Sequence, residues 1–510
     1  MTDLPDTPLS GTEARRAARN AGAIAVARIV SSAALFGWQL ALGRLLGETG
    51  FGVYGTVGAL IAVGAVIANF GLSLIVIREV ARRPQEAGRY LTVALVLHLL
   101  LAVVAYGAMN LLALALGYPG DIRLLTAVAC IALLTDILGS VAFDQLIARE
   151  RMVATSVTEI GTVLTRIAAG ALVLAAGGGL LGLYVVTILT SLGRAGVLWS
   201  VMLRAGVRPR WPFERAIARP MFFDALPLAI GGLINIVFIQ MDRLISTSLL
   251  GATQTGYLTA AGVIVFGVVE ILSTTVLTAV FPLMSRLYAP GRDPAQFFFM
   301  VRKLAYFTGL VGLAVALTFT VFAEAITVPL FGEDFAPSAA VLRILIWYAA
   351  LTMVVNVFAQ GLMVQNRQRR YVVVRAGGLA GKLALNLLLM PVFGITGAAL
   401  ASVLAETGVL AGTASVFPLN WRGALPRLLR VAAAALLSLG AMLLLGAILP
   451  ILGILAGPVV LGIGLVALRG LADDDLDLLY RLAAALPGGT VIRRVWKRDV
   501  SLTWEQEIEA

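Results

Sequence analysis

Two pairs of charges raise the first chemical question. Glu159 and Arg166 stand seven residues apart in "TEIGTVLTRIA", and Arg375 and Lys382 stand seven apart in "VRAGGLAGKLAL". Seven residues are two helical turns, so the members of each pair share a helix face. Both stretches are otherwise apolar, and an ionised group at membrane depth marks either a cavity or an internal partner. Cations facing a cavity could replace the hydration of a phosphate with charge-assisted hydrogen bonds. Two readings are therefore open: a cationic cavity, or local pairing with carboxylates and helix ends.

Other polar groups fall within apolar runs. Arg28 could join the cavity or snorkel to the surface. Asp242, Glu270 and Glu159 are candidate carriers of a coupling proton or sodium ion. Asn356 and Gln360 share a helix face and suit either sugar hydroxyls or interhelical hydrogen bonds. Asp136, Asp144, Asp224, Arg194 and Glu406 are expected to include interhelical pairs, and His98 to pack. Enzymatic signals fail. "GGGLLG" (177–182) has no preceding strand, and "AGGLAGKL" (376–383) lacks the first glycine and the final Ser/Thr of a P-loop. One His and one Cys exclude familiar multi-His/Cys zinc sites and any intrachain disulfide. No cofactor is expected beyond possible H+ or Na+ coupling.

The elements that position these groups are membrane spans. Sixty per cent of the 510 residues are apolar and 13% charged, about half the charge of a soluble domain. Mean hydropathy is +0.94. Runs of about 20 apolar residues cross a bilayer, and such runs occur at 51–77, 91–117, 304–323 and 431–468. The reading is an all-α polytopic membrane protein of 14 transmembrane helices. They lie near 22–43, 51–77, 91–117, 124–147, 153–176, 180–202, 222–247, 254–284, 304–330, 336–362, 371–391, 394–416, 431–449 and 451–468. With both termini cytoplasmic (N-in, C-in), the outer loops keep only Arg44 and Arg123 of the 39 Lys and Arg, as the positive-inside rule requires. The net charge of +11 is then topological and meets anionic membrane lipids; no nucleic-acid partner is expected.

An internal repeat orders the spans. "LLGETGFG" (45–52) returns as "LLGATQTG" (249–256), 204 residues later. "RER" at 149 meets "RQR" at 367, and Gly182 and Gly193 meet Gly397 and Gly408. The two charge pairs share an offset of 216, which predicts equivalent deep cations, Arg166 and Lys382, in two parallel six-helix lobes. The expected organisation is a cytoplasmic segment (1–21), an N-lobe (22–202), a basic linker (203–221) and a C-lobe (222–416). A second linker (417–430), two further spans (431–468) and a cytoplasmic tail (469–510) carrying a surface helix follow. Two similar lobes around a central site suit alternating access.

Three stretches carry a family resemblance: "FGVYGTVGALIAVGAVIANFGLSLIVIREVARRP" (51–84), "MDRLISTSLLGATQTGYLTAAGVI" (241–264) and "AVFPLMSRL" (279–287). They resemble the polysaccharide transporter and Wzx-type O-antigen flippase branch of the multidrug/oligosaccharidyl-lipid/polysaccharide exporter superfamily. The resemblance covers residues 20–416. Span 1, "VARIVSSAALFGWQLALG" (26–43), lacks the acidic residue expected of many drug/cation antiporters and the "FVRD"-like pattern of lipid II flippases. The resemblance implies a non-enzymatic flippase of the cytoplasmic (inner) membrane. Its cargo would be a polyprenyl-diphosphate-linked oligosaccharide carried to the outer leaflet for surface polysaccharide assembly, with Arg166, Lys382, Arg375 and Arg28 around the diphosphate. Other glycan-assembly proteins are candidate partners. A cation-coupled exporter of amphipathic small molecules is the alternative, and a membrane enzyme or scaffold a further one.

Overall fold

The structure, a computed structural model, describes residues 11–274, 281, 283–289, 294–417, 424–471 and 475. Side chains are described from Val30 onward, except at 273–274 and 424–425. No strand occurs among the described residues. Among the described residues, twelve helices are long and apolar enough to cross a membrane.

In chain order the elements are α1 (Gly11–Asn69), α2 (Leu72–Arg82), α3 (Ala87–Ala115), α4 (Gly120–Ala129), α5 (Ile131–Ala148), α6 (Met152–Ala175) and α7 (Gly179–Arg204). After the linker come α8 (Arg215–Leu250), α9 (Ala252–Val269), a π turn (Glu270–Thr274), α10 (Pro294–Val321), α11 (Ala323–Phe331), α12 (Ser338–Val364), α13 (Gln368–Val416), α14 (Ala424–Gly446) and α15 (Pro450–Ala467). The break expected near Pro450 is present, with the proline opening α15 where its missing N–H costs nothing. The surface helix expected in the tail lies outside the described residues, apart from Asp475. That carboxylate is buried and ion-paired to Lys303 of α10 and, at 3.8 Å, to Arg427 of α14.

Two of the long helices double back at a glycine. On α13 the turn is Gly394 (φ 60°, ψ −140°), a conformation open to glycine and closed to most side chains. Gly378 packs against Val409 and Gly412 against Val374, pairs centred within a residue of Gly394. A straight helix would hold residues 374 and 412 about 57 Å apart. On α1 the turn is Gly47 (φ 66°, ψ 177°). Beyond it, Gly52 and Gly55 meet Gly256 and Thr259 of α9, so numbering rises together along the two helices. A straight α1 would carry Phe36 about 28 Å the other way, yet Phe36 packs on Gly267.

Expected spans are interrupted at three places: 124–147 at Cys130, between α4 and α5, 304–330 at Phe322, between α10 and α11, and 51–77. The run 51–77 breaks at Phe70 and Gly71, both with positive φ. The Asn69 side chain stabilises the break, accepting from Gly71 N (3.2 Å) and donating to Ser73 Oγ (2.8 Å).

The repeated turns meet each other. Gly251 (φ 86°, ψ 175°) has nearly the conformation of Gly47, 204 residues earlier. Thr49 Oγ1 and Thr253 Oγ1, also 204 apart, hydrogen-bond at 2.7 Å. A methyl on Gly52 would overlap the Ala252 carbonyl, and one on Gly256 would overlap the carbonyl of Glu48. This reciprocity, position i on j and the equivalent of j on the equivalent of i, is what a local two-fold axis produces. Two glycines without Cβ allow the backbones to touch. The repeat thus closes one end of the molecule, here the turn end. Arg82 and Arg215 stand at the opposite, linker end.

Candidate functional site

The deep charges divide into two environments. In the second half of the chain, the two limbs of α13 hold Arg375, Lys382, Asn386, Ser402 and Glu406 inside the protein, all buried. Arg375 Nη1 donates to Glu406 Oε2 at 2.6 Å, and its guanidinium lies 3.7 Å from the Phe238 ring centre. Thr352 Oγ1 donates to the other Glu406 oxygen at 3.0 Å. Lys382 Nζ sits 2.8 Å from Asp242 Oδ2 and donates to the Phe238 carbonyl at 2.7 Å. Asp242 is completed by Asn386 Nδ2 (2.9 Å) and Ser402 Oγ (2.5 Å). Each charge has an opposite charge, and Asp242, Glu406 and Lys382 each have a further hydrogen bond, the condition under which a buried pair is tolerated. Arg375 Nε is buried without a hydrogen-bond partner, and its guanidinium rests on the Phe238 ring.

The first half of the chain differs. Arg166 on α6 is about one-third exposed and donates to two hydroxyls of α7, Thr190 Oγ1 at 3.1 Å and Ser191 Oγ at 3.0 Å. Its nearest carboxylate, Asp136 of α5, stands 4.0 Å away. Glu159, two turns earlier, pairs instead with Arg194 at 2.6 Å. Gly139 makes room for that arginine, since a methyl there would lie 2.6 Å from Arg194 Nη1. The 216-residue offset therefore relates two cations of unlike surroundings: Lys382 neutralised by Asp242, and Arg166 bound to neutral groups.

Arg243, beside Asp242 in the outer third of the expected seventh span, is a cation whose role the sequence leaves open. It follows Asp242 in the chain, but successive helical side chains point about 100° apart. Asp242 turns to Lys382, and Arg243 leaves the helix about 100° around from it. Its Nη1 donates to Gln240 Oε1 (3.1 Å), its guanidinium lies 5.8 Å from the Phe266 ring, and Gly262 leaves it space. Apart from its chain neighbour Asp242, which is bound to Lys382, no described carboxylate reaches Arg243. The helices that carry Arg166 and Arg243 both pack against α1: Trp38 lies against Gly170 of α6, and Thr56 Oγ1 hydrogen-bonds Thr247 Oγ1 of α8 at 2.5 Å. Tyr54 is seven residues past Gly47 and Arg243 eight before Gly251, about 10–12 Å below the closed turn end. A small void of about 20 Å³, room for a water, adjoins Arg243, Asp242 and Lys382.

The remaining candidates are dispersed. Glu270 is exposed and opens the π turn after α9. Asn356 and Gln360 are half-buried, one turn apart on α12, and neither hydrogen-bonds Arg166 or Arg243. The Arg28 side chain lies outside the described residues. A larger cleft, about 460 Å³, opens at the linker end between α2, α3 and α8. No group of three or more His, Cys, Asp or Glu among the described residues could hold a metal ion.

Comparison with known proteins gives the fold and the family. A lipid II flippase, MurJ, in an inward closed conformation, matches with a TM-score of 0.71 at 14% identity, over 88% of this chain and 98% of that one. An inward-facing multidrug resistance MATE family transporter of the MOP superfamily matches at 0.61 and 13% identity, over 76% and 93%. The eukaryotic MATE transporter AtDTX14 matches at 0.56 and 16% identity, over 80% and 96%. No curated protein matches the chain. With its apolar helices and a fold shared with these solved transporters, the chain is a multi-pass membrane protein. A family model described as polysaccharide biosynthesis protein matches residues 41–340, more than half of the chain, and the protein belongs to that family.

Proposed function

We propose that the protein is a flippase that moves a polyprenyl-diphosphate-linked oligosaccharide from the cytoplasmic to the outer leaflet of the inner membrane by alternating access. One observation carries this reading. Arg166 and Arg243 come from opposite halves of the chain, on two helices that both pack against α1, and among the described residues Arg166 has no carboxylate closer than 4.0 Å and Arg243 none at ion-pair distance. Guanidiniums held by neutral groups at membrane depth keep their charge available for an anion. A diphosphate spanning them would exchange its hydration for charge-assisted hydrogen bonds. Without such a path, stripping water from one ion has an idealised cost of order 20 kcal/mol. Lys382 and Arg375 act from behind, holding α8, α12 and α13 together. The prenyl chain stays in lipid.

Counting each limb of the α1 and α13 hairpins as a crossing gives the fourteen expected, and the Lys/Arg alternation supports N-in and C-in. The reciprocal Gly52–Gly256 crossing is then the outer gate, closed in this conformation. Asp242, Glu159 and Glu270 are the three acids considered as carriers, and a pH gradient imposed on liposomes holding Asp242→Asn, Glu159→Gln or Glu270→Gln protein tests coupling. The primary experiment reconstitutes Arg166→Ala/Arg243→Ala in liposomes and follows flipping of a fluorescent lipid-linked glycan. A loss of at least tenfold is expected. An unchanged rate in folded protein removes the two arginines from the mechanism, and dye export without glycolipid flipping moves the protein to the drug-exporter class.

A further inference from the structure

The cleft at the linker end has a construction of its own. One wall is α2, the Pro84–Glu86 turn and the start of α3; the other is the first turns of α8. Two ionic clamps tie the walls. Arg78 Nη2 meets Asp224 Oδ2 at 3.1 Å, and Arg89 forks onto Glu214, with Nε 2.6 Å from Oε1 and Nη2 on Oε2. Glu214 and Asp224 are ten residues apart, about 15 Å along α8, so the clamps frame a slot of about 460 Å³. That size falls within the range of about 300–1,000 Å³ for small-molecule sites.

The lining is mixed in a way that selects a ligand. Ile75, Tyr90 and Met221 form a buried apolar floor. Glu79 and Glu86 are held by Arg78 (2.9 Å) and Arg89 (3.6 Å) and keep spare acceptor capacity. Arg83 lines the slot with no described carboxylate at ion-pair distance. One uncompensated guanidinium suits a phosphate. Two carboxylates repel a bare polyanion but accept hydroxyl hydrogen bonds, and an apolar floor with a tyrosine edge suits the face of a sugar ring.

We propose that this slot binds the phosphorylated sugar headgroup of a membrane glycolipid at the linker end, before the headgroup reaches Arg166 and Arg243. The proposal rests on the flippase reading for the identity of the cargo, but its test does not require transport. Glucose 1-phosphate is titrated calorimetrically into the full chain in detergent micelles. One equivalent is expected to bind, with inorganic phosphate and free glucose each at least tenfold weaker. Arg83→Gln should weaken glucose 1-phosphate at least tenfold at an unchanged unfolding temperature, since this exposed arginine holds no ion pair. Ala216→Trp, which fills the slot from the exposed α8 wall, should abolish binding.

Equal affinity in Arg83→Gln and the unaltered protein overturns the proposal, as does no binding at all. Phosphate binding as tightly as the sugar phosphate overturns it in favour of a bare anion site. Displacement by short-chain phosphatidylglycerol at equal affinity overturns it in favour of an ordinary phospholipid. Binding lost in Arg166→Ala but kept in Arg83→Gln places the probe in the central cavity, overturning this site while the flippase reading stands. If glycolipid flips in liposomes, Arg83→Gln should raise the half-saturating glycolipid concentration at least tenfold with the maximal rate unchanged, whereas Arg166→Ala/Arg243→Ala lowers the maximal rate.

Discussion

The Arg375–Lys382 region and the Glu159–Arg166 region begin from the same spacing and end in different states. On α13 each cation is sealed against a carboxylate: Glu406 at 2.6 Å, Asp242 at 2.8 Å. On α6 only Glu159 finds a close ion-pair partner, Arg194 of the neighbouring helix, and Arg166 is left on hydroxyls. Charge at membrane depth is thus used in two ways. Where it is fully paired it fastens helices together, and where it is held mainly by hydroxyls, as Arg166 is, the proposed function gives it to the ligand. The difference lies in the neighbours and not in the charged residues themselves.

The sharpest way to break this comparison is to remove one carboxylate from the sealed region. Glu406→Gln leaves the Arg375 guanidinium buried without its counter-charge, and a guanidinium cannot release its proton. A loss of about 3–5 kcal/mol is expected, read as a fall in thermal unfolding temperature in detergent. Asp242→Asn should cost less, because an orphaned ammonium can deprotonate. If Glu406→Gln is the milder variant, the assignment of roles on α13 is wrong.

The reverse pattern is expected in the other region. Arg166→Ala/Arg243→Ala should change stability by no more than about 1 kcal/mol while removing glycolipid flipping, so stability and transport separate between the two regions. A parallel collapse of the unfolding temperature would make Arg166 a fastener as well. At the crossing of the repeats, Thr49→Ala deletes one hydroxyl–hydroxyl bond worth about 0.6 kcal/mol in a membrane setting. Gly52→Val, by contrast, places a side chain against the Ala252 carbonyl and should stop a Thr49→Cys/Thr253→Cys pair from crosslinking.

The smallest effect concerns the exposed clamp at the linker end. The Arg89 guanidinium holds the Glu214 carboxyl below its ordinary range. A depressed carboxyl contributes stability that is present above its unfolded pKa and lost as pH falls through the folded value. Acidification below about pH 4 should therefore loosen the slot, read as weaker glucose 1-phosphate binding. Glu214→Gln should reduce that pH dependence, the rest belonging to Glu79, Glu86 and Asp224, and leave the α13 pairs unaffected.

Much of this was legible in the chain. Apolar runs of spanning length dictate helices, because backbone polar groups in lipid have no other partner, and they dictated a polytopic protein before any coordinate was known. The 204-residue repeat was legible because glycine, leucine and threonine recur where the backbone must turn and touch; the structure shows Thr49 on Thr253 and Gly52 against Gly256. Spacing also placed Glu159 with Arg166 and Arg375 with Lys382 on shared faces. Spacing along one helix says nothing of the helix opposite, and that is where the electrostatics are decided. Only the folding back of α13 at Gly394 could bring Glu406 to Arg375, 31 residues away, and only the approach of α8 could bring Asp242 to Lys382, 140 residues away. The 100° between neighbours on a helix then sent Arg243 to Gln240 and the Phe266 ring while Asp242 met Lys382. Hydropathy is a property of a segment and survives in one dimension; compensation of a charge depends on distances of a few ångströms between segments, which only tertiary packing sets.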